Sequence, residues 1–108
     1  MEMPEEAQVS MVEDDGAVTI IGGGILTYAT AQEFSDALSK AALSADEVTV
    51  DFRPAKFIDT QVVHDLGKAA VKLGHRGKRL KVIVSASEYP LEVLKMSCYD
   101  RIMDIEVE

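Results

Sequence analysis

The chain is poor in the residues that small folds use as staples. Cys98 is the only cysteine among 108 residues. That excludes a disulfide framework and any zinc site built from several thiolates. Tryptophan is missing, and three prolines and seven glycines are too few for a fibrous or low-complexity chain. No apolar run approaches the ~20 residues that a membrane span requires. The opening residues MEMPEEAQVS have neither the basic n-region nor the apolar h-region of a secretory signal. Positive charge is also scarce: 11 Lys and Arg stand against 19 Asp and Glu, for a formal net charge of −8. Non-specific nucleic-acid binding needs the opposite balance, because cations must neutralise phosphates. These absences point to a reducing, cytoplasmic setting, with no nucleic-acid partner and no membrane insertion.

What is present suits a single globular domain: 47% hydrophobic and 28% charged residues. Residues 1–7 read as a flexible leader and residues 8–108 as one domain. QVSMV and AVTII, on either side of EDDG, predict two strands joined by an Asp-Gly turn. Gly22, Gly23 and Gly24 follow, where a bulge or strand exit is expected; GGGIL matches neither nucleotide-binding fingerprint. TAQEFSDALSKAAL predicts a first helix, with Thr30 and Glu33 spaced as a capping box and Phe34, Leu38 and Ala41 on one face. EVTVDF alternates as a strand. TQVVHDLGKAAVKLG repeats Val63, Leu66, Ala70 and Leu73 at helical spacing, and Gly74 suits its end. RLKVIVSA, YPLEVLKMS and MDIEV predict a strand, a short helix with Pro90 in its first turn, and a last strand. The order ββαβαβαβ implies an α/β fold: a mixed, mostly parallel sheet with the helices mainly on one face.

Between the third strand and the second helix, KFIDTQVVHDL sets an acid and a hydroxyl side by side at Asp59 and Thr60. On local chemistry the pair is a helix N-cap. Two segments add a further reading. GGILTYATAQEF, with Gly24, Leu26, Thr30 and Ala31, resembles the strand-to-helix signature of STAS domains, the family of anti-sigma factor antagonists. VTVDFRPAKFIDTQVVHDLGKAA is similar to that family's second segment, a strand followed by Phe or Ile, Asp, Ser or Thr, and a helix. The resemblance runs over about residues 8–107. It implies the STAS fold and a regulatory, non-enzymatic protein of bacterial partner-switching type. Its partner would be an anti-sigma factor or a serine/threonine kinase of the histidine-kinase-like ATPase type. It places Thr60 at the phosphoacceptor position, and the partner face at Gly24, Thr27, Tyr28, Asp59, Thr60, Gln61 and Val62. Two positions depart from the pattern: Val62 stands where the family has Gly, and Thr27 where it has Asp. Both favour the alternative, a non-switching STAS scaffold or a subunit of a larger stress-signalling or lipid-transport complex. Self-association is a further expectation.

Other chemistry finds less support. Asp14, Asp15 and Asp51 imitate the acidic set of a phosphoaspartate receiver, but a strand follows the pair where a helix is needed, and Asp51 is expected on the solvent-facing side of its strand. His64 has no nucleophile placed beside it and reads as exposed or partner-facing. Cys98 has no adjacent basic activator and reads as a buried thiol. Two histidines, His64 and His75, do not make a metal site. No cofactor, metal or catalytic residue is therefore expected. The basic run from Lys68 to Lys81 suits a helix C-terminus, or a docking patch for an acidic partner or another subunit.

Overall fold

The computed structural model describes residues 7–27, 29–86, 89–97 and 101–108. Six strands and three helices occur among them: β1 (Gln8–Asp14), β2 (Ala17–Leu26), α1 (Gln32–Ser44), β3 (Glu47–Asp51), β4 (Ala55–Ile58), α2 (Thr60–His75), β5 (Leu80–Val84), α3 (Tyr89–Ser97) and β6 (Met103–Val107). The sheet runs β1-β2-β3-β5-β6, and β4 pairs separately with β2. Only β1 is antiparallel to its neighbour; the β2–β3, β2–β4, β3–β5 and β5–β6 pairs are parallel. The mixed, mostly parallel α/β architecture is as expected. The one additional element is β4, which makes the order ββαββαβαβ.

Asp15 and Gly16, at φ 51° and 86°, form the two-residue turn between β1 and β2. Both values lie in the left-handed region that such hairpin turns demand. Along β2 the partner on one side changes. Residues Ala17 to Ile21 pair with β3, whereas Gly24 to Leu26 pair with β4, with a register shift between Gly24 and Ile25. The three glycines occupy this changeover. Gly24 takes φ 73° and donates its N–H to the Pro54 carbonyl at 3.1 Å. The expected bulge is therefore real, and it lets one long strand serve two neighbours.

One side of the sheet carries the core. Val18, Ile20, Val48, Val50, Leu80 and Val82 join Phe34 and Leu38 of α1, Leu66 and Leu73 of α2, and Leu94 of α3 in a single buried cluster. Full burial of each large side chain contributes about 1.5–3 kcal/mol. Phe34 and Phe52 meet at 5.4 Å between ring centroids, tilted by 37°. The alternate residues Thr19, Thr49 and Lys81 point to the helix-free side, as the two-residue period of a strand requires.

The basic run is dispersed by the fold. Arg76 donates to the Ala42 carbonyl at 3.0 Å, closing the C-terminal end of α1. Arg79 pairs with Asp104 at 2.9 Å and Lys81 with Glu106 at 3.3 Å, both between β5 or its approach and β6. Lys68 and Lys72 remain exposed on α2.

Candidate functional site

The start of α2 is fixed by Asp59. This residue has extended backbone, φ −95° and ψ 178°, and its carboxylate accepts the Val62 N–H at 3.0 Å. Its backbone carbonyl accepts the Val63 N–H at 3.1 Å. Asp59 is thus the N-cap, and Thr60 is the first helical residue. Thr60 and Gln61 are exposed, and Gln61 reaches Asp65 one turn later at 3.4 Å. Val62 is fully buried and packs in the core. Of the residues expected on the partner face, Val62 turns its side chain into the core. α2 buries both Val62 and Val63, a wider stripe than the helical spacing of Val63, Leu66, Ala70 and Leu73 suggested.

The β2–α1 connection lies next to this corner because β2 and β4 run parallel, with Leu26 opposite Ile58. The Asp59 N–H donates to the Leu26 carbonyl at 3.1 Å, so Thr27 and Asp59 leave the sheet side by side. Thr27 and Thr30 close a tight turn. The Thr30 N–H donates to the Thr27 carbonyl at 3.0 Å, the Thr27 N–H to the Thr30 hydroxyl at 3.0 Å, and the Thr30 hydroxyl donates to the Ile25 carbonyl at 3.1 Å. This is not the predicted capping box. The hydroxyl is engaged upstream, and α1 starts after Ala31 with no side-chain cap. Tyr28, expected on the same face, lies outside the described residues, as does Cys98. Gly24 is half-buried at the bulge, with φ 73°.

Sequence reasoning did not single out the α1 side of the corner. Ala31, Gln32 and Ser35 face Gln61 and Asp65 across a groove of about 290 Å³. The nearest local signal was the i,i+4 spacing of Gln32 and Asp36, whose side chains bond at 2.9 Å. Asp65 in the groove and Asp59 at the helix start make the charged rim acidic. The corner can present the Thr60 hydroxyl, the amides of Gln32 and Gln61 and the carboxylates of Asp59 and Asp65 to a partner.

The receiver-like acids are kept apart. Asp14 and Asp15 sit at the β1–β2 turn, beside the start of β3, and Asp51 ends β3. Asp51, expected on the solvent-facing side of its strand, is on the helix-free side but only 7% exposed, because Arg53 folds over it. The guanidinium Nη2 lies 2.7 Å from Asp51 Oδ2, and the Arg53 N–H donates to Oδ1 at 3.0 Å. Arg53 Nη1 also reaches Glu108 at 3.1 Å. The Arg53 side chain holds the Asp51 carboxyl below its ordinary range, against the opposing effect of burial.

The family model described as Mlab, STAS domain matches residues 8–104. The chain belongs to the STAS domain family. No curated protein matches the sequence of this STAS domain. Among solved structures, it is similar to an anti-sigma factor antagonist from Mycobacterium paratuberculosis, with a TM-score of 0.82 at 15% identity over 98% of this chain and 90% of that one. It is also similar to the Bacillus cell-fate determinant SpoIIAA in its phosphorylated form, with a TM-score of 0.65 at 18% identity over 94% and 92% of the two chains. A Shewanella loihica protein with a SpoIIAA-like fold superposes at a TM-score of 0.57 and 11% identity, over 100% of this STAS domain and 89% of that protein. At these identities the likeness is one of fold. Among the described residues, no helix of the STAS domain is long and apolar enough to cross a membrane.

Proposed function

We propose that this STAS domain is an anti-sigma factor antagonist-like regulator in the cytoplasm. It binds an anti-sigma factor, or a serine/threonine kinase of the histidine-kinase-like ATPase type, and is switched by phosphorylation at Thr60. One observation carries the reading: Asp59 satisfies the first turn of α2 through Val62, which leaves Thr60 exposed at the helix start beside the Thr27–Thr30 turn. A helix N-terminus offers N–H donors and a positive dipole end to a phosphate. Asp59 and Asp65 beside it make this face suit a basic partner surface. A phosphate adds about −1.5 to −2 charges there. It alters the charge and shape a docked partner meets, without refolding the domain. The domain is the substrate of the phosphoryl transfer, and the catalyst is its partner.

Mass analysis of the protein purified from its own cells, intact and as peptides, tests this, with Thr60→Ala as the control. A phosphate on Thr60 that disappears in the variant supports the switch. Its absence under both resting and stress conditions rejects the switch.

A second reading is a non-switching subunit of a larger stress-signalling or lipid-transport assembly. Val62, a core residue where the family pattern places Gly, favours it. Under this reading Thr60→Ala and Thr60→Glu bind the partner equally.

A further inference from the structure

We infer that the outer edge of β1 is a docking site for an extended, basic and apolar segment of a partner protein, which joins the sheet as an additional strand. β1 pairs with β2 through seven consecutive residues, and among the described residues no strand pairs with its other side. An unpaired strand edge presents a row of backbone N–H and C=O groups, and soluble proteins commonly blunt it with Pro, Lys, a bulge or a very short strand. β1 has none of these: QVSMVED contains no Pro and no cation, and its register with β2 is unbroken. Its acids gather at the C-terminal end. Met11 and Val12, in the middle, are 53% and 55% exposed. The opposite edge strand, β6, is shorter, and its Asp104 and Glu106 are engaged with Arg79 and Lys81.

A groove of about 510 Å³ runs between β1 and α1. Val9, Met11 and Ala37 supply its apolar lining, and Glu33, Asp36 and Lys40 its charged lining. Strands added at an edge sit about 4.8 Å away, and their alternate side chains point to one face. Every second side chain of an added strand therefore points to the α1 side, over Val9 and Met11. Peptides that join a sheet edge take affinity from main-chain hydrogen bonds and specificity from the pockets met by alternate side chains. Glu13 shares the face of Val9 and Met11 by strand alternation, so three carboxylates, of Glu13, Glu33 and Asp36, stand against one ammonium. That balance selects a cationic strand. It also opposes a second copy of a chain with net charge −8. The site is on the far edge of α1 from Thr60 and does not depend on the phosphoswitch.

The test uses the full chain, labelled with ¹⁵N, and two capped synthetic hexapeptides, one alternating Lys and Val and the other alternating Glu and Val. The Lys-Val peptide is expected to bind at least tenfold more tightly, to shift the amide signals of residues 8–14, and to slow their hydrogen exchange. The double variant Glu33→Lys, Asp36→Lys is expected to reverse the preference between the two peptides. Lys68→Glu, on the exposed side of α2, is expected to leave it unchanged. Equal affinity for both peptides, or shifts confined to residues outside β1 and α1, would overturn the inference. So would concentration-dependent protection of residues 8–14 with no peptide present, because a second copy would then own the edge.

Discussion

The Asp59 carboxylate and the Val62 N–H, 3.0 Å apart, tie the sheet to the start of α2. The bond satisfies one of the donors that a helix N-terminus leaves over, and it sets the backbone direction from which Thr60 projects. Asp59→Ala should lower the stability of the domain by about 1 kcal/mol, whereas Asp59→Asn, still able to accept the bond, should lose only a fraction of that. Urea unfolding of the three proteins at neutral pH measures the difference. Equal losses in both variants would show that the side chain holds the corner through something other than the cap.

Thr60 itself should matter little to folding, because its side chain is exposed. Thr60→Glu places a carboxylate at the positive end of the helix dipole, a change of about 0.3–1 kcal/mol in the stabilising direction at most. Its binding to the kinase or anti-sigma partner should fall tenfold or more, about 1.4 kcal/mol. Thr60→Ala should keep near-native binding and lose phosphate incorporation from labelled ATP. Titration calorimetry and a phosphorylation assay with the purified partner read the two effects. A Glu variant that binds as the wild type does would place the docking surface elsewhere.

Gly22 is needed for space. A Cβ at this position would lie 2.9 Å from Leu26 Cδ1 and 3.0 Å from Phe52 Cε1, both fully buried side chains. Gly22→Ala should therefore overpack the core, at a cost of about 1–3 kcal/mol. Phe52→Leu in the same chain should recover part of that loss by removing the ring. A double-mutant cycle by thermal unfolding checks the coupling, and strictly additive losses would count against the contact.

Much of this fold is legible locally. α2 and α3 follow from apolar spacing, and the β1–β2 turn from Asp15-Gly16, because each depends on neighbours within a turn or two of chain. β4 is harder to read. Its four residues form a strand because β2 continues past the end of β3 and needs another neighbour, which is a property of the whole sheet. The site divides in the same way. Asp59 and Thr60 read correctly as a cap followed by an exposed hydroxyl. Their position beside Thr27 follows from the Leu26–Ile58 pairing, which no local pattern carries. The Thr30 cap failed because two competing sets of partners lay within reach of one hydroxyl, and the upstream set won.

Asp51 and Arg53 give the domain a pH signature. Arg53 holds the Asp51 carboxyl below its ordinary range. A carboxyl whose folded value is depressed contributes stability in full above the unfolded value, about 3.9. That contribution fades as pH falls through the folded value. Arg53→Ala removes the largest depressing influence and also uncovers the carboxyl, so the folded value should return toward the unfolded one. The variant should then lack the wild type's loss of stability below the unfolded value. The gap between wild type and Arg53→Ala should be small at pH 3 and widen to about 1 kcal/mol at pH 7, the scale of a partly exposed ion pair. Asp51→Asn, which cannot ionise, should lack that acid-side loss too. Urea midpoints at pH 3, 4, 5 and 7 for the three proteins decide the matter; a gap of constant size would mean that the pair stabilises by packing alone.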